Sequence, residues 1–465
     1  MNPELKGSAE DLSALKANLR GETIQRGDAG YDEARKLFNA MIDKKPAVIA
    51  RCVDAADVMA CVNYAREKGI LLAVRGGGHN GPGLGSCNDG LVIDLSRMRS
   101  VQVDPQAKIA QVSGGCVWGD VDHATHAFGL AAPSGTISTT GVGGLTLGGG
   151  IGHLSRKWGL TIDNLLSVDM VLADGSFVTA NDQQNQDLFW AVRGGGGNFG
   201  VVTSFKFRLH PVGSVIAGPM LWALEDAPAV MRAYEDFITN APEELNGFFA
   251  FLTVPPVDLF PAALHMRKVC GVVWCSLADE ERTRKILKPA GSWAKPLLEA
   301  IGPMPFPFLQ RLFDNLYPPG LQWYWKADFV DYLSDKAIAL HVKHGSQLPT
   351  MHSTMHLYPV NGAVHRTAPG DTAFSYRKTK WAEVIIGVDP DPANKERIAS
   401  WAKKYWDTLH PFSAPGAYIN FMMEEGAGRV EATYGANYGR LRQIKAKYDP
   451  DNLFRVNQNI VPADI

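Results

Sequence analysis

Val74-Arg75-Gly76-Gly77-Gly78-His79-Asn80 is the stretch from which the chain is read. The apolar run Leu71 to Arg75 predicts a buried strand, and it leads straight into three glycines and a histidine. Without a Cβ, glycine lets the backbone turn tightly and lie close to a ligand. A histidine at the end of such a loop is presented to something outside the loop. Two more glycine-dense stretches follow, Gly141-Val142-Gly143-Gly144-Leu145-Thr146-Leu147-Gly148-Gly149-Gly150-Ile151-Gly152 and Gly194-Gly195-Gly196-Gly197-Asn198-Phe199-Gly200. Together they predict loops wrapped around one large phosphate-bearing cofactor, with His79 bonded to it.

Upstream of this stretch, Val48 to Cys52 predicts a strand. Asp54 is placed as an N-cap with Asp57 in the first helical turn, Val58, Val62 and Ala65 mark one buried helix face, and Gly69 ends the helix. This strand–helix–strand unit delivers the His79 loop. Residues 1–45 read as a polar, partly helical lead-in. Downstream, Gly90 to Leu95, Ile109 to Val112 and Val201 to Leu209 predict strands, and Asp120 to Phe128 a short helix. Asp174-Gly175 between two apolar runs, Leu165 to Leu172 and Ser176 to Ala180, predicts a hairpin. Past Pro211 the glycine runs stop. Pro228 to Thr239 and Glu280 to Leu287 predict helices, and Trp381 to Val388 a strand. Thr350 to Tyr358 alternates, which would put His352, Thr354, His356 and Tyr358 on one strand face. The expected division is 1–211 (core 46–210) for cofactor binding, 212–410 for substrate binding, and 411–465 returning to complete the first unit.

Composition narrows the classes. A chain of 465 residues with 46% hydrophobic and 20% charged residues suits a soluble globular protein of two or more domains. A net charge of −2 gives no electrostatic case for nucleic acid or an anionic membrane. No apolar run is long enough for a membrane span, and Met1 to Asp32 lacks a signal-peptide core. Six scattered cysteines lack metal-ligand spacing, so no metal is expected. They read as free thiols of a cytoplasmic protein.

The glycine run from Gly141 is not followed by a clear amphipathic helix or by the acidic residue of a Rossmann fingerprint. No Gly-Lys-Ser/Thr marks a P-loop. More than half of the residues from Gly141 to Gly152 are glycine, which predicts an extended crossing loop able to aim backbone N–H groups at a diphosphate.

With Arg75 to Asn80 go Thr140-Gly141-Val142-Gly143-Gly144, Gly148-Gly149-Gly150-Ile151-Gly152, Lys157-Trp158-Gly159-Leu160 and Asp163-Asn164. Asp187 to Gly196 and the tail Asp449-Pro450-Asp451-Asn452-Leu453-Phe454-Arg455 complete the set. In these motifs the chain resembles the FAD-linked oxidases of the vanillyl-alcohol-oxidase or PCMH fold, in the berberine-bridge-enzyme-like branch that includes bacterial 6-hydroxynicotine and sugar oxidases. The resemblance is strong over 46–210 and 417–462. Between them it is faint, apart from Thr372-Ala373-Phe374-Ser375-Tyr376-Arg377.

The resemblance implies an α+β protein: a PCMH-type FAD-binding domain of two α+β subdomains, with an inserted substrate domain on an antiparallel sheet flanked by helices. It implies that FAD is contacted by Arg75, Gly76, Gly77, Gly78, His79 and Asn80, by Thr140, Gly141, Gly143, Gly144, Gly148, Gly149, Gly150 and Gly152, and by Asn164, Gly200 and Val202. Asn457 and Asn459 of the tail would join them. His79 would carry the flavin through its 8α carbon. Ile137 stands where many relatives have a second, cysteinyl tether, so a single histidyl bond is expected. Thr140 stands where the family often has a small apolar residue near the oxygen-reactive carbon, which leaves oxidase and dehydrogenase both open. In Tyr418-Ile419-Asn420-Phe421, Tyr418 is the phenol expected to act as base, and Glu383 is a competitor from the inserted domain. The expected reaction oxidises a C–H beside oxygen or nitrogen of a small organic substrate, an alcohol, sugar or cyclic amine, with O2 as acceptor and H2O2 as product. A flavin carrier without turnover is the alternative of another class.

Overall fold

The strand–helix–strand unit forms around the ends its residues set. The computed structural model describes residues 9–464. Asp54 caps the helix Ala55–Lys68 by accepting from the Asp57 N–H at 3.0 Å, and Val58, Val62 and Ala65 are buried along one face. The helix covers a four-stranded sheet ordered Glu22–Gln25, Val48–Arg51, Leu91–Asp94, Leu72–Arg75. The last three strands are parallel. Leu91–Asp94 lies between two of them and is buried throughout, as expected of a parallel strand covered on both faces. The lead-in does more than its polar composition predicts. Glu22–Gln25 is an edge strand antiparallel to Val48–Arg51, with only Ile24 buried, so it carries almost no apolar signal.

A second sheet is antiparallel, in the order Val101–Asp104, Ile109–Ser113, Val201–Arg208, Leu165–Val171, Phe177–Asn181. The Asp174-Gly175 turn joins its last two strands. The helices Trp118–His126 and Gln186–Val192 bury Trp118, Val121, Leu188 and Phe189 in the same core as Phe205 and Phe207. In sequence the glycine stretch lies between Ile109–Ser113 and Leu165–Val171, and here the structure departs from the expected extended loop. Val142–Leu147 is a short helix, because Val142, Thr146 and Leu147 supply a buried face that outweighs the two interior glycines. The chain turns out of it through Gly149 and Gly150 at φ 128° and 81°, values that favour glycine.

The third sheet has eight strands. Its path is Leu298–Glu299, Ser214–Ala223, Lys268–Ser276, Leu245–Thr253, Thr354–Pro359, Trp381–Asp389, Gln322–Val330, with Gly302–Pro305 also paired to Ser214–Ala223. All its pairings are antiparallel. The helices Ala227–Asn240, Asp335–Gly345 and Lys395–Leu409 cover one face. The two-residue period of the strands sorts side chains between the faces. Met355, Leu357, Trp381 and Ile385 lie in the helix-side core, while Tyr358, Ala382 and Val384 belong to the opposite one.

The C-terminal segment packs back on the first two sheets. Val430, Tyr434, Leu441, Ile444 and Ile460 join the core of the second sheet, and Leu453 and Phe454 join that of the first. One fully buried ion pair shapes this tail. Lys445 Nζ meets Asp449 Oδ2 at 2.6 Å, with neither side chain exposed. Asp449 also accepts the N–H groups of Leu453 and Phe454, at 2.7 and 2.9 Å. Lys445 donates to the Asn198 carbonyl at 2.6 Å, in the third glycine stretch. Removing one partner strands a buried charge, at roughly 3–5 kcal/mol. Lys445→Met should therefore lower the denaturation midpoint by an amount in that range, and adding Asp449→Asn should recover part of it. A single mutant as stable as the parent would show that the pair does not hold the tail.

Candidate active site

The three large sheets each contribute to one cavity of about 310 Å³. The strand Leu72–Arg75 ends at its mouth and carries the His79 loop along the wall. Arg75 is fixed by Asp94, its register partner on the next strand, with Nη2 to Oδ2 at 2.7 Å and both side chains nearly buried. Asn80 accepts the Leu84 N–H at 2.8 Å and closes the loop on itself. The His79 ring stacks on Phe38, centroids 3.7 Å apart, and its Nε2 lies 3.0 Å from Thr139 Oγ1. Burial holds the imidazole down at about 3, and a hydrogen bond at Thr139 offsets only part of this. The ring is therefore neutral at pH 7, with a nitrogen lone pair available for bonding.

The helix Val142–Leu147 crosses beneath this loop. A Cβ on Gly77 would stand 2.5 Å from the Gly141 nitrogen, and one on Gly141 would stand 2.4 Å from the Gly77 nitrogen. Only glycine at both positions allows the two backbones to touch. Gly144 is different. It lines the cavity, yet a Cβ there would meet no protein atom within 4 Å. Cβ atoms on Gly76 and Gly143 would come no closer than 3.5 Å to any atom. These three form a bare backbone cradle along the wall, the shape a large ligand with a diphosphate would need.

Tyr418 enters from the C-terminal segment. Its hydroxyl accepts the Gly150 N–H at 2.9 Å and the Asn420 side-chain amide at 2.7 Å, and that amide also donates to the Leu145 carbonyl. Burial pushes the phenol up to about 12, against the pull of the Gly150 and Asn420 donors. Two N–H groups already point at the oxygen, so its own proton is the one free to be given up or exchanged with a ligand.

Of the residues expected to contact a cofactor, Arg75, Gly76, Gly77, Gly78, His79, Asn80, Thr140, Gly141, Gly143, Gly144, Gly200, Val202 and Asn457 line this cavity. Gly148, Gly149, Gly150 and Gly152 do not. Their missing Cβ atoms make room for the protein itself: for Asn420, Phe374, Thr161 and the Ser134 carbonyl respectively. Asn164 also lies elsewhere, donating to the Trp158 and Leu160 carbonyls and meeting His210 Nε2 at 2.7 Å. Asn459 is off the wall, with its buried Oδ1 unpartnered.

Glu383 is corrected more sharply. It shares the parity of Trp381 and Ile385, so it faces the helices, where its carboxylate lies 3.8 Å from His341 Nε2. Its neighbours Val384 and Ile386 line the cavity instead. His352 precedes the strand and does not line it, whereas Thr354, His356 and Tyr358 do. Phe38, Thr139 and Gln458 are not among the residues expected at the site. Each acts through a contact between segments distant in sequence, although Gln458 sits between the two asparagines that had been singled out. Ile137 lines the cavity, and no cysteine does.

This architecture, a bare glycine cradle beneath a roof of antiparallel strands, is that of an FAD-dependent oxidoreductase. A family model described as FAD binding domain matches residues 46–181, and one described as berberine and berberine like matches residues 417–461. An (R)-6-hydroxynicotine oxidase of Paenarthrobacter nicotinovorans is 38% identical over 470 residues, covering 97% of this chain and 98% of the relative. A xylooligosaccharide oxidase of Thermothelomyces thermophilus is 29% identical over 506 residues, covering 100% and 96%. Among solved structures, the berberine-bridge-like protein 1 of Physcomitrella patens superposes with a TM-score of 0.86 at 24% identity, covering 98% of this chain and 99% of that one. The chain belongs to the berberine-bridge-enzyme-like family of FAD-linked oxidoreductases. No helix among the described residues is long and apolar enough to cross a membrane.

The cradle can be tested without turnover. Gly144→Ala adds a methyl group that touches no protein atom, at a helical position where alanine is favoured by roughly 0.5–1 kcal/mol. The flavin-free protein should unfold at the same temperature or higher, while the fraction of purified protein carrying flavin falls severalfold. Undiminished flavin content would show that no ligand passes over Gly144.

Proposed function

We propose that the chain is an oxidase that carries its FAD on His79 and removes hydride from a C–H beside oxygen or nitrogen of a small organic substrate. Residues 1–211 and 411–465 hold the cofactor, and 212–410 provide the roof over the substrate. When bound, FAD supplies the hydride acceptor and passes the electrons to O2, so that H–C–X–H and O2 become C=X and H2O2, where X is oxygen or nitrogen. The remaining work belongs to the chain.

The observation that carries the reading is the placement of Tyr418. It lines the cavity between the glycine cradle and the sheet, with the Gly150 and Asn420 N–H groups fixed on its oxygen. Those donors stabilise a phenolate as the phenol proton leaves, and the oxygen can then accept the proton of the substrate's O–H or N–H. His79 supports the tether by geometry and charge: neutral, ordered by Phe38 and Thr139, and exposed to the cavity. With Ile137 on the wall and no cysteine there, a single tether is proposed.

Tyr418→Phe should slow flavin reduction by roughly 10²–10⁴-fold in anaerobic rapid mixing and leave the flavin content intact. In the parent, the reduction rate should rise with pH toward about 12, because the phenolate is the accepting form. Glu383→Gln, behind the sheet, should stay within a few-fold of the parent. Tyr418→Phe at near-parental rate would remove the phenol from the chemistry. Reduced protein that stays reduced on admitting air would exclude O2 as acceptor.

A further inference from the structure

The roof of the cavity carries a second polar device beside the Tyr418 site. His356 and Tyr358 lie two apart on one strand, so both face inward, and His356 Nδ1 is 2.9 Å from the Tyr358 hydroxyl. Phe248 packs against both rings, with centroids 5.1 and 4.9 Å away. Thr136 lines the cavity beside them, and its side chain draws the Tyr358 phenol down against the burial that pushes it up. Of the two groups the phenol is the stronger donor, so the Tyr358 proton is directed to His356 Nδ1. Burial keeps the imidazole neutral, with its ordinary value pushed down to about 3. A neutral ring accepting at Nδ1 must carry its proton on Nε2. Among the described residues, no hydrogen bond is recorded at Nε2.

The surroundings limit what that N–H can meet. Trp323, Trp325 and Phe421 supply flat apolar walls. Among the described residues, Arg75 is the only Asp, Glu, Lys or Arg on the lining, and Asp94 already neutralises it. A charged ligand would lose hydration here without gaining a counter-charge, whereas an uncharged planar one would not.

We propose that His356 is the specificity-determining residue of this site. Held as the Nε2–H tautomer by Tyr358, it selects an uncharged, ring-bearing alcohol or amine that presents a hydrogen-bond acceptor, such as a carbonyl, ether or ring nitrogen. The inference rests on the oxidase reading for the site's purpose, but not for the tautomer.

Two measurements on the flavin-loaded protein test it. The first is ¹⁵N-histidine NMR, with the His356 signals assigned by their loss in His356→Phe. The Nε2–H tautomer is expected throughout pH 5–8, becoming a mixture of tautomers in Tyr358→Phe. A Nδ1–H ring in the parent would overturn the proposal whether or not the protein turns anything over. The second is calorimetric binding of benzyl alcohol and the three pyridylmethanol isomers, which differ from it by one ring acceptor. At least one isomer should bind roughly 5- to 10-fold more tightly than benzyl alcohol, the worth of one neutral hydrogen bond. That preference should vanish in His356→Phe and survive in His356→Gln, which keeps an N–H donor. No preference in the parent, or an equal one in His356→Phe, would overturn the proposal. Failure of the oxidase reading would show separately, as flavin that no bound alcohol reduces.

Discussion

The contact between Gly77 and Gly141 is the constraint on which the site depends. Each backbone occupies the space where the other would carry a Cβ. The loop that presents His79 and the helix that forms the cradle floor can therefore be close only as glycine against glycine. The same approach sets the Thr139 side chain 3.0 Å from the His79 ring. Phe38 stacks on the face of the same ring, so the imidazole is held at its face and at its Nε2 edge. A methyl group at either glycine would part the loops, and the histidine would lose the neighbour that orders it.

The glycines along the chain divide into two kinds, and the division explains how a site for a large ligand can sit in a tightly packed protein. Gly76, Gly143 and Gly144 leave space that no protein atom fills. Gly148, Gly149, Gly150 and Gly152 leave space that other segments fill, and through Asn420 and Gly150 this second group positions the Tyr418 oxygen. The open backbone at Gly143 and Gly144 and the Gly150 N–H that meets the Tyr418 oxygen thus come from one continuous stretch. The tail reaches this assembly through Lys445 and Asp449, whose buried charges satisfy each other and tie the tail to the Asn198 loop.

Much of this was legible in the residues. The strand–helix–strand unit, the hairpin at Asp174-Gly175 and the His79 loop follow from local signals: a cap, a turn pair, a helical apolar period. What was not legible depended on packing between distant segments. The helix Val142–Leu147 looks too glycine-rich to form until its apolar face is seen buried. Glu383 could be placed only by strand parity, and Trp381 two residues earlier, a side chain suited to a core, held the clue to its face. The glycines after Leu147 and the asparagine at 164 matched a family pattern, yet here they serve the protein's own contacts. Of the partners of His79, Phe38 comes from a segment with no marking of its own, and Thr139 lies between Ile137 and Thr140, which stand out for other reasons.

The proposed tether joins a cofactor to His79, and the mass of the denatured protein tests that directly. After acid denaturation and removal of free flavin, the parent should be heavier than its sequence by one FAD, and digestion should place the added mass on the peptide that contains His79. An unmodified mass, or a flavin attached to any other peptide, would contradict it.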